Sequence, residues 1–244
     1  MSYEDCNYYG SSAEYYDLTS RELWEKKIPI IRRVSKAFPI NSGPIIDIGA
    51  GTGNASIEIA KCLPDAAIIA LEPSSEMRIA FASKIASDKE LRSRITIIPK
   101  GVSEYNFSRK FSGALCMGVV GHLSNEERKM IWQSLRGALV KGAPLLIELL
   151  DEDLMFIKSE TIISSVSVGE QKYEIFVKEK SKQEDHFGEW IFNYKVYDSN
   201  GVIREVNTPM IWERLFVDDI KKELEEAGFI ANQISKSMII ACFK

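Results

Sequence analysis

The chain has 244 residues, of which 45% are hydrophobic, enough to bury the core of one α/β domain with an insertion. Its 31 basic and 35 acidic residues give a net charge of −4 and are interspersed, which argues against a nucleic-acid-binding surface. The four cysteines include no Cys-x-x-Cys pair, so neither a zinc site nor a disulfide framework is indicated. Without a signal peptide or an apolar run of membrane-spanning length, we expect a cytoplasmic protein with no membrane partner.

The N-terminal 20 residues contain five of the nine tyrosines. Each tyrosine ring buries a large area while its hydroxyl keeps a polar partner, so this arm either packs on the domain or forms a lid over a ligand. Residues 20–38 have apolar side chains at helical spacing and predict an amphipathic helix interrupted at Pro29. Arg21 near its start is either a solvated side chain or a ligand for a carboxylate. Residues 1–40 are thus predicted to form an N-terminal helical lid.

A short strand followed by a glycine turn comes next. Residues 45–48 are apolar apart from Asp47, which is typical of a strand buried on both faces. Glycines at positions 49, 51 and 53 end the strand, and apolar residues at helical spacing follow. Such a strand, turn and helix form the first βα unit of an open parallel sheet, which binds ligands at the carboxyl ends of its strands. A dinucleotide fingerprint would place its third glycine where Asn54 stands.

This Gly-x-Gly-x-Gly turn resembles motif I of the class I S-adenosylmethionine-dependent methyltransferases. A second buried strand ends at Glu72, about 20 residues past the glycines, where a carboxylate can accept both ribose hydroxyls, as it also does in NAD enzymes. The resemblance implies a Rossmann-like α/β fold with a seven-stranded, mostly parallel sheet and helices on both faces. In the family the residue placed like Met77 lies near the adenosine, although a core position in the following helix explains Met77 equally well.

The loop after the third strand, predicted at residues 94–98, departs from the family. The family usually carries Gly-Asp there, and the Asp accepts a hydrogen bond from the adenine amino group. Here Val102 stands in that place, so Ser103, Glu104 or backbone atoms supply the acceptor, or adenine recognition is looser. The acid that usually opens the fourth strand, predicted at residues 114–117, is absent as well.

Two residues resemble catalytic groups of the bacterial methyltransferases that N-methylate amino sugars. His122 lies in the loop between the fourth strand and a helix predicted to begin at Ser124. It matches the histidine that those enzymes place beside the reacting amine. Its alternative role is to cap the helix or to form a hydrogen bond within the loop. The segment Ala-Glu-Tyr-Tyr-Asp at residues 13–17 resembles their opening segment, in which the tyrosine matching Tyr16 faces the active site.

The fifth strand, predicted at residues 143–148, ends in Glu148, and Asp151 follows closely. Carboxylates at this edge suit a cationic or polyhydroxylated substrate, or they belong to a solvated loop. The residues predicted to bind the cofactor S-adenosylmethionine are Tyr16, Arg21, Gly49, Ala50, Gly51, Asn54, Glu72, Pro73, Met77, Val102, Ser103, Met117 and Gly118.

Residues 154–211 change to a strand period. Four alternating or β-branched segments at 161–168, 172–180, 189–197 and 202–212, with a hairpin turn at 198–201, predict an antiparallel β insertion. In the family such an insertion walls the substrate pocket or builds a dimer contact, although an aromatic stripe is more often core. The cofactor-binding core is then predicted at 41–153 and 212–244, ending in a helix and an antiparallel hairpin.

These observations predict a methyltransferase that transfers a methyl group to a small-molecule amine, with a homodimer as a possible assembly. One alternative is O-methylation of a small-molecule hydroxyl or carboxylate, for which His122 would serve as a base. The other is a non-catalytic binding protein of methyltransferase-like fold, which the two missing acids favour. A NAD-linked dehydrogenase is disfavoured by the glycine spacing.

Overall fold

The structure is a computed structural model and describes residues 8–157, 159–181 and 187–243. It divides into two compact units. The first contains the described residues up to Lys26 together with Glu152–Arg214, and the second contains Lys27–Asp151 and the described residues from Leu215 onward. None of the described helices is long and apolar enough to cross a membrane.

The helices are α1 Tyr8–Thr19, α2 Arg21–Ser35, α3 Asn54–Cys62, α4 Ser75–Ile85, α5 Lys89–Arg94, α6 Asn125–Ala138, α7 Glu152–Met155 and α8 Val217–Glu226. The strands are β1 Ile45–Ile48, β2 Ile68–Leu71, β3 Ile95–Ile98, β4 Gly113–Met117, β5 Leu145–Glu148, β6 Thr161–Val168, β7 Gln171–Ser181, β8 Phe187–Asp198, β9 Gly201–Glu213, β10 Ile230–Gln233 and β11 Met238–Cys242.

The second unit is built on a seven-stranded sheet of order β10-β11-β5-β4-β1-β2-β3. Strands β1 to β5 pair in parallel, whereas β11 is antiparallel to both β5 and β10. The strand order reverses between β1 and β4, so the right-handed crossover rule assigns α3 and α4 to one face of the sheet and α6 to the other. This confirms the predicted Rossmann-like sheet. Ligands of such folds bind outside the carboxyl ends of the strands at that reversal.

The local sequence explains where the main helices begin. The Ser74 hydroxyl accepts a hydrogen bond from the Met77 backbone N–H at the start of α4. At the start of α6, Ser124 and Glu127 form a reciprocal capping box. Strands β1, β2, β4 and β5 are buried at every residue, which explains why they are almost wholly apolar.

One local prediction is wrong, and two short helices were not predicted. The predicted interruption at Pro29 is wrong, because α2 continues through it. The proline is on the exposed side of the helix, where its ring meets solvent. The sequence also gave no indication of α5, which is capped by the Asp88 carboxylate, or of the single-turn helix α7.

The first unit contains an antiparallel sheet of order β6-β7-β8-β9, and helix α1 packs on it. A small aromatic and aliphatic core joins helix and sheet, in which the Tyr15 ring stacks on Tyr194 at a centroid distance of 4.9 Å. Polar contacts also join them, including one from the Ser164 hydroxyl to the Thr19 carbonyl oxygen at 2.7 Å. The antiparallel insertion predicted from the strand period is therefore present, with strand ends within about two residues of those expected.

Candidate active site

The turn between β1 and α3 contains the three motif glycines. Gly49, Gly51 and Gly53 have φ values of 63°, 56° and 82°, a backbone region that side chains with a Cβ rarely adopt. A Cβ on Gly49 would lie 2.4 Å from a Val119 methyl group, and one on Gly53 would lie 2.2 Å from the Phe81 ring. A Cβ on Gly51 would meet no heavy atom within 4 Å. The first and third glycines therefore allow close packing, while the middle one borders open space at the carboxyl edge of β1.

Glu72, which follows β2, is hydrogen-bonded to this turn. One carboxylate oxygen accepts a hydrogen bond from the Gly51 backbone N–H at 2.7 Å, and the other accepts one from the Ser74 N–H at 2.8 Å. Burial raises the pKa of Glu72, whereas these two hydrogen bonds lower it. Each oxygen retains a second lone pair, so the oriented carboxylate can still accept the hydroxyls of a bound ribose.

Asp47, inside β1, is a candidate residue that the sequence analysis did not select. It is only 1% exposed; one oxygen accepts the Ser56 hydroxyl at 2.6 Å, and the other is buried without a hydrogen-bond partner. Burial raises its pKa to about 7, and the negative charge of Glu72 acts in the same direction. The signal available in the sequence was an acid within an otherwise apolar strand. Its buried charge makes this edge of the sheet favourable for a cation.

These features fit S-adenosylmethionine, the cofactor that the resemblance of the glycine turn to the methyltransferase motif implies. Open space above Gly51 leaves room for a ligand against the backbone, and the free lone pairs of Glu72 suit its ribose. The unpartnered Asp47 oxygen suits a ligand that carries positive charge, as a sulfonium does. The Ala50 backbone N–H donates to the Leu71 carbonyl oxygen at 2.9 Å, which holds the turn against the end of β2.

Lys84 on α4 makes hydrogen bonds to residues at the end of the glycine turn. Its ammonium donates hydrogen bonds to the Asn54 amide oxygen at 2.7 Å and to the Thr52 hydroxyl at 2.9 Å. The side chain of Asn54, predicted to bind the cofactor, thus fastens the turn to α4. Lys84 was missed because nothing in the local sequence connects it to a turn about 30 residues earlier.

The residues predicted for the adenine end differ in accessibility. Val102 is buried and Ser103 is exposed, whereas the Glu104 carboxylate accepts the Gly101 backbone N–H at 2.9 Å. Of the acceptors considered for adenine, Glu104 therefore has one oxygen engaged, and its other oxygen, the Ser103 hydroxyl and the backbone remain. The Met77 side chain is 1% exposed and packs in the core, while Pro73 is half-buried.

His122 lies in the loop that leaves β4, the strand paired with β1. At the start of that loop Met117 is buried, and a Cβ on Gly118 would meet no heavy atom within 4 Å. The His122 backbone N–H donates to the Val119 carbonyl oxygen at 2.9 Å. Burial lowers the pKa of the half-buried imidazole to about 4, so the ring is neutral at neutral pH.

The two acids predicted to bind substrate have lysine partners. The buried Glu148 carboxylate lies 2.7 Å from the Lys27 ammonium; burial raises the pKa of Glu148, and the lysine lowers it. Asp151 lies 3.2 Å from the Lys236 ammonium, and both of these side chains are substantially exposed. A cationic substrate at Glu148 would therefore compete with Lys27, a residue that the sequence analysis did not select.

Tyr16 and Arg21 belong to the first unit, whereas the glycine turn belongs to the second. Tyr16 is half-buried on α1, next to the buried Tyr15. Arg21 is exposed and its guanidinium lies 3.1 Å from Glu25, an i,i+4 pair on the helix surface. Their predicted roles at the cofactor stay predictions.

Comparison with known proteins identifies the second unit. A family described as "Methyltransferase domain" matches residues 45–142, which include the glycine turn, Glu72 and His122. No curated protein sequence matches the chain. Among solved structures, the amino pentose methyltransferase CalS10 from Micromonospora echinaspora has 14% identity and a TM-score of 0.73, with 91% of this chain and 92% of that chain covered.

Two further structures have the same fold along nearly the whole chain. The sugar N-methyltransferase KedS8 from a Streptoalloteichus species has 15% identity and a TM-score of 0.68, with 92% of each chain covered. DesVI from Streptomyces venezuelae has 15% identity and a TM-score of 0.74, with 100% of this chain and 99% of that chain covered. Residues 45–142 therefore match a methyltransferase domain, and the chain has the fold of these methyltransferase structures.

Proposed function

We propose that this enzyme transfers a methyl group from S-adenosylmethionine to the nitrogen of a small-molecule amine, with an amino sugar as the leading acceptor class. The observation that carries the proposal is His122, a neutral, half-buried imidazole in the loop after β4. Two structures of similar fold are an amino pentose methyltransferase and a sugar N-methyltransferase, which supports the acceptor class.

The backbone of Gly49, Ala50 and Gly51 would hold the cofactor against the turn, and Glu72 would accept its ribose hydroxyls. The cofactor supplies the activated methyl carbon, so the protein chiefly orients the acceptor and keeps its nitrogen unprotonated. Asp47 would favour the cationic ligand through its buried charge. Ser103 would take part in binding the adenine.

His122 and Tyr16 would border the reacting nitrogen. An amine attacks as the neutral base, and a neutral imidazole can accept a hydrogen bond from its N–H and hold the lone pair toward the methyl carbon. The Tyr16 hydroxyl would orient the same acceptor. Since orientation is the main requirement, we expect each side chain to contribute a moderate factor.

O-methylation of a hydroxyl is the weaker candidate, because the acceptor must lose its proton as it attacks. An imidazole with a pKa of about 4 is a poor proton acceptor for a hydroxyl group. Methylation of a carboxylate requires no base, so this reaction would leave His122 without a chemical role.

The proposal is tested with purified enzyme, radiolabelled S-adenosylmethionine and a panel of amino sugars alongside their hydroxyl analogues. We expect label on the amines, and we expect His122→Gln and Tyr16→Phe each to lower kcat by about 10- to 100-fold. His186→Gln, which changes the chain's other histidine, is the control and should retain full activity. Full turnover in both the His122 and the Tyr16 variant, or label on the hydroxyl analogues alone, would contradict the proposal.

A further inference from the structure

A buried ion pair behind the His122 loop joins α6 to α8. Arg128 on α6 is 1% exposed, and its guanidinium donates to the Glu223 carboxylate from Nε at 3.1 Å and from Nη2 at 2.9 Å. The same carboxylate accepts the Trp132 indole N–H at 2.9 Å and the Asn125 amide at 3.2 Å. Glu223, on α8, therefore fixes the orientation of the Arg128 guanidinium.

The guanidinium of Arg128 has a further contact on the loop itself. Its Nη1 donates a hydrogen bond to the Leu123 carbonyl oxygen at 2.7 Å, and this bond is buried. That carbonyl belongs to the residue directly after His122. The other backbone bonds of this stretch are local turns, from His122 to Val119 and from Leu123 to Val120. Arg128 therefore joins the loop to the interior of the unit.

We propose that Arg128, oriented by Glu223, is a positioning residue that sets the direction of His122 toward the acceptor. This inference rests on the proposed function, in which the His122 imidazole contacts the reacting amine. The guanidinium is a planar fork of five donors, so it can bind the carboxylate and the carbonyl together in one fixed geometry. A displacement of the Leu123 carbonyl would rotate the preceding residue and move its ring.

The physical cost of the pair supports a role beyond helix packing. Removing two charges from water is expensive, and apolar side chains of similar volume often hold two helices together equally well. Here one hydrogen bond of the buried cation ends on the loop, at the carbonyl oxygen of Leu123, the residue directly after His122. An apolar pair would pack α6 on α8 but would leave the Leu123 carbonyl without this donor.

The test uses Glu223→Gln and Arg128→Lys, with Arg136→Met as the matched control. Arg136 is an arginine on the same helix, and it packs on the Phe243 ring at 3.7 Å instead of the loop. Glu223→Gln keeps the shape and one acceptor oxygen, so it is the variant expected to fold best. Arg128→Lys retains the charge but loses the planar fork that spans both partners.

Two measurements are made on each folded variant. The first is an NMR titration of the His122 ring signal, assigned by its loss in His122→Gln. We expect the His122 pKa to rise from about 4 toward the ordinary value near 6.5 in both test variants, because a displaced ring meets more water. The second is steady-state kinetics, with kcat expected to fall about tenfold and the KM for the cofactor expected to stay within about twofold.

The ring titration and the kinetics together distinguish a failure of the positioning inference from a failure of the proposed function. If the ring titration shifts in the test variants but no amine is methylated, the positioning contact stands and the proposed function fails. If the wild type methylates amines while Glu223→Gln and Arg128→Lys leave both the His122 titration and kcat as in Arg136→Met, the positioning inference is overturned.

Discussion

Carboxylates in the antiparallel sheet of the first unit and at the glycine turn of the second have opposite kinds of partner. In the sheet of the first unit they are matched by bases: Glu174 lies 2.6 Å from Lys172, and Glu189 lies 2.6 Å from Lys180. At the glycine turn of the second unit, Asp47 and Glu72 are held by hydroxyl and backbone donors, with no ion-pair partner among the described residues.

Their proton affinities differ accordingly. The hydrogen bond from Lys172 holds the pKa of Glu174 below its usual value, whereas burial raises the pKa of Asp47 and of Glu72. The first sheet neutralises its charges within the fold, so they serve structure and solubility. At the turn, the Arg78 charge lowers the pKa of Glu72 but less than burial raises it, so the negative charge there is only partly matched and favours a cationic ligand.

The largest expected difference between the two regions is in the effect of Glu72→Ala and of Glu174→Ala on cofactor binding. We expect Glu72→Ala to weaken S-adenosylhomocysteine binding by at least about 100-fold, because two hydrogen bonds from ribose hydroxyls to a charged group are lost. Glu174→Ala should leave the affinity unchanged. Isothermal titration calorimetry of both variants is the measurement, and equal affinities would remove the distinction between the two regions.

Asp47→Asn tests how much the buried Asp47 charge lowers the free energy of unfolding. The native pKa of Asp47 is about 7 and the unfolded value is near 3.8, so the folded state binds the proton more tightly. This stabilising contribution is complete below about pH 3.8 and is lost as the pH rises through 7. Relative to Asp47→Asn, the wild type should therefore lose up to about 4 kcal/mol of unfolding free energy between pH 4 and pH 8.

Urea unfolding of both proteins across this pH range measures the difference. A constant gap between wild type and variant would mean that Asp47 titrates normally. The opposite slope, with the wild type gaining on the variant as the pH rises, would mean that an undetected cation stabilises the carboxylate.

Glu174→Ala has the smallest predicted effect on stability. The Glu174 side chain is only 9% exposed, but its partner Lys172 is about half exposed, so solvent at the lysine screens the pair. We expect the Tm to change by less than about 2 °C, as measured by differential scanning calorimetry at low salt. A large loss would show that the pair at this sheet does more than neutralise charge.

The same contrast explains what could be predicted from sequence. The β1 and β2 strands and the long strands of the insertion have strong periodic or apolar patterns, and the glycine spacing fixes the first turn. These local signals gave the fold, the turn and Glu72. Helix α5 was missed because its six residues carry no apolar period.

The partners of the site residues could not be predicted. Lys84, Lys27 and Glu223 act on residues between 30 and 121 positions away in the chain, and only the folded sheet brings them near. The pKa of His122 likewise depends on burial, which no local pattern specifies. Sequence therefore indicated which residues carry the chemistry, and the fold determined their charge and orientation.

The most direct test of the account is the number of protons released when S-adenosylmethionine binds at pH 7. It is measured by calorimetry in two buffers of different ionisation enthalpy. A cation bound beside Asp47 should lower the pKa of that carboxyl from about 7, so the wild type should release a fraction of a proton and Asp47→Asn should release less. Equal release by both proteins, or proton uptake by the wild type, would contradict the claim that the turn reserves its negative charge for the cofactor.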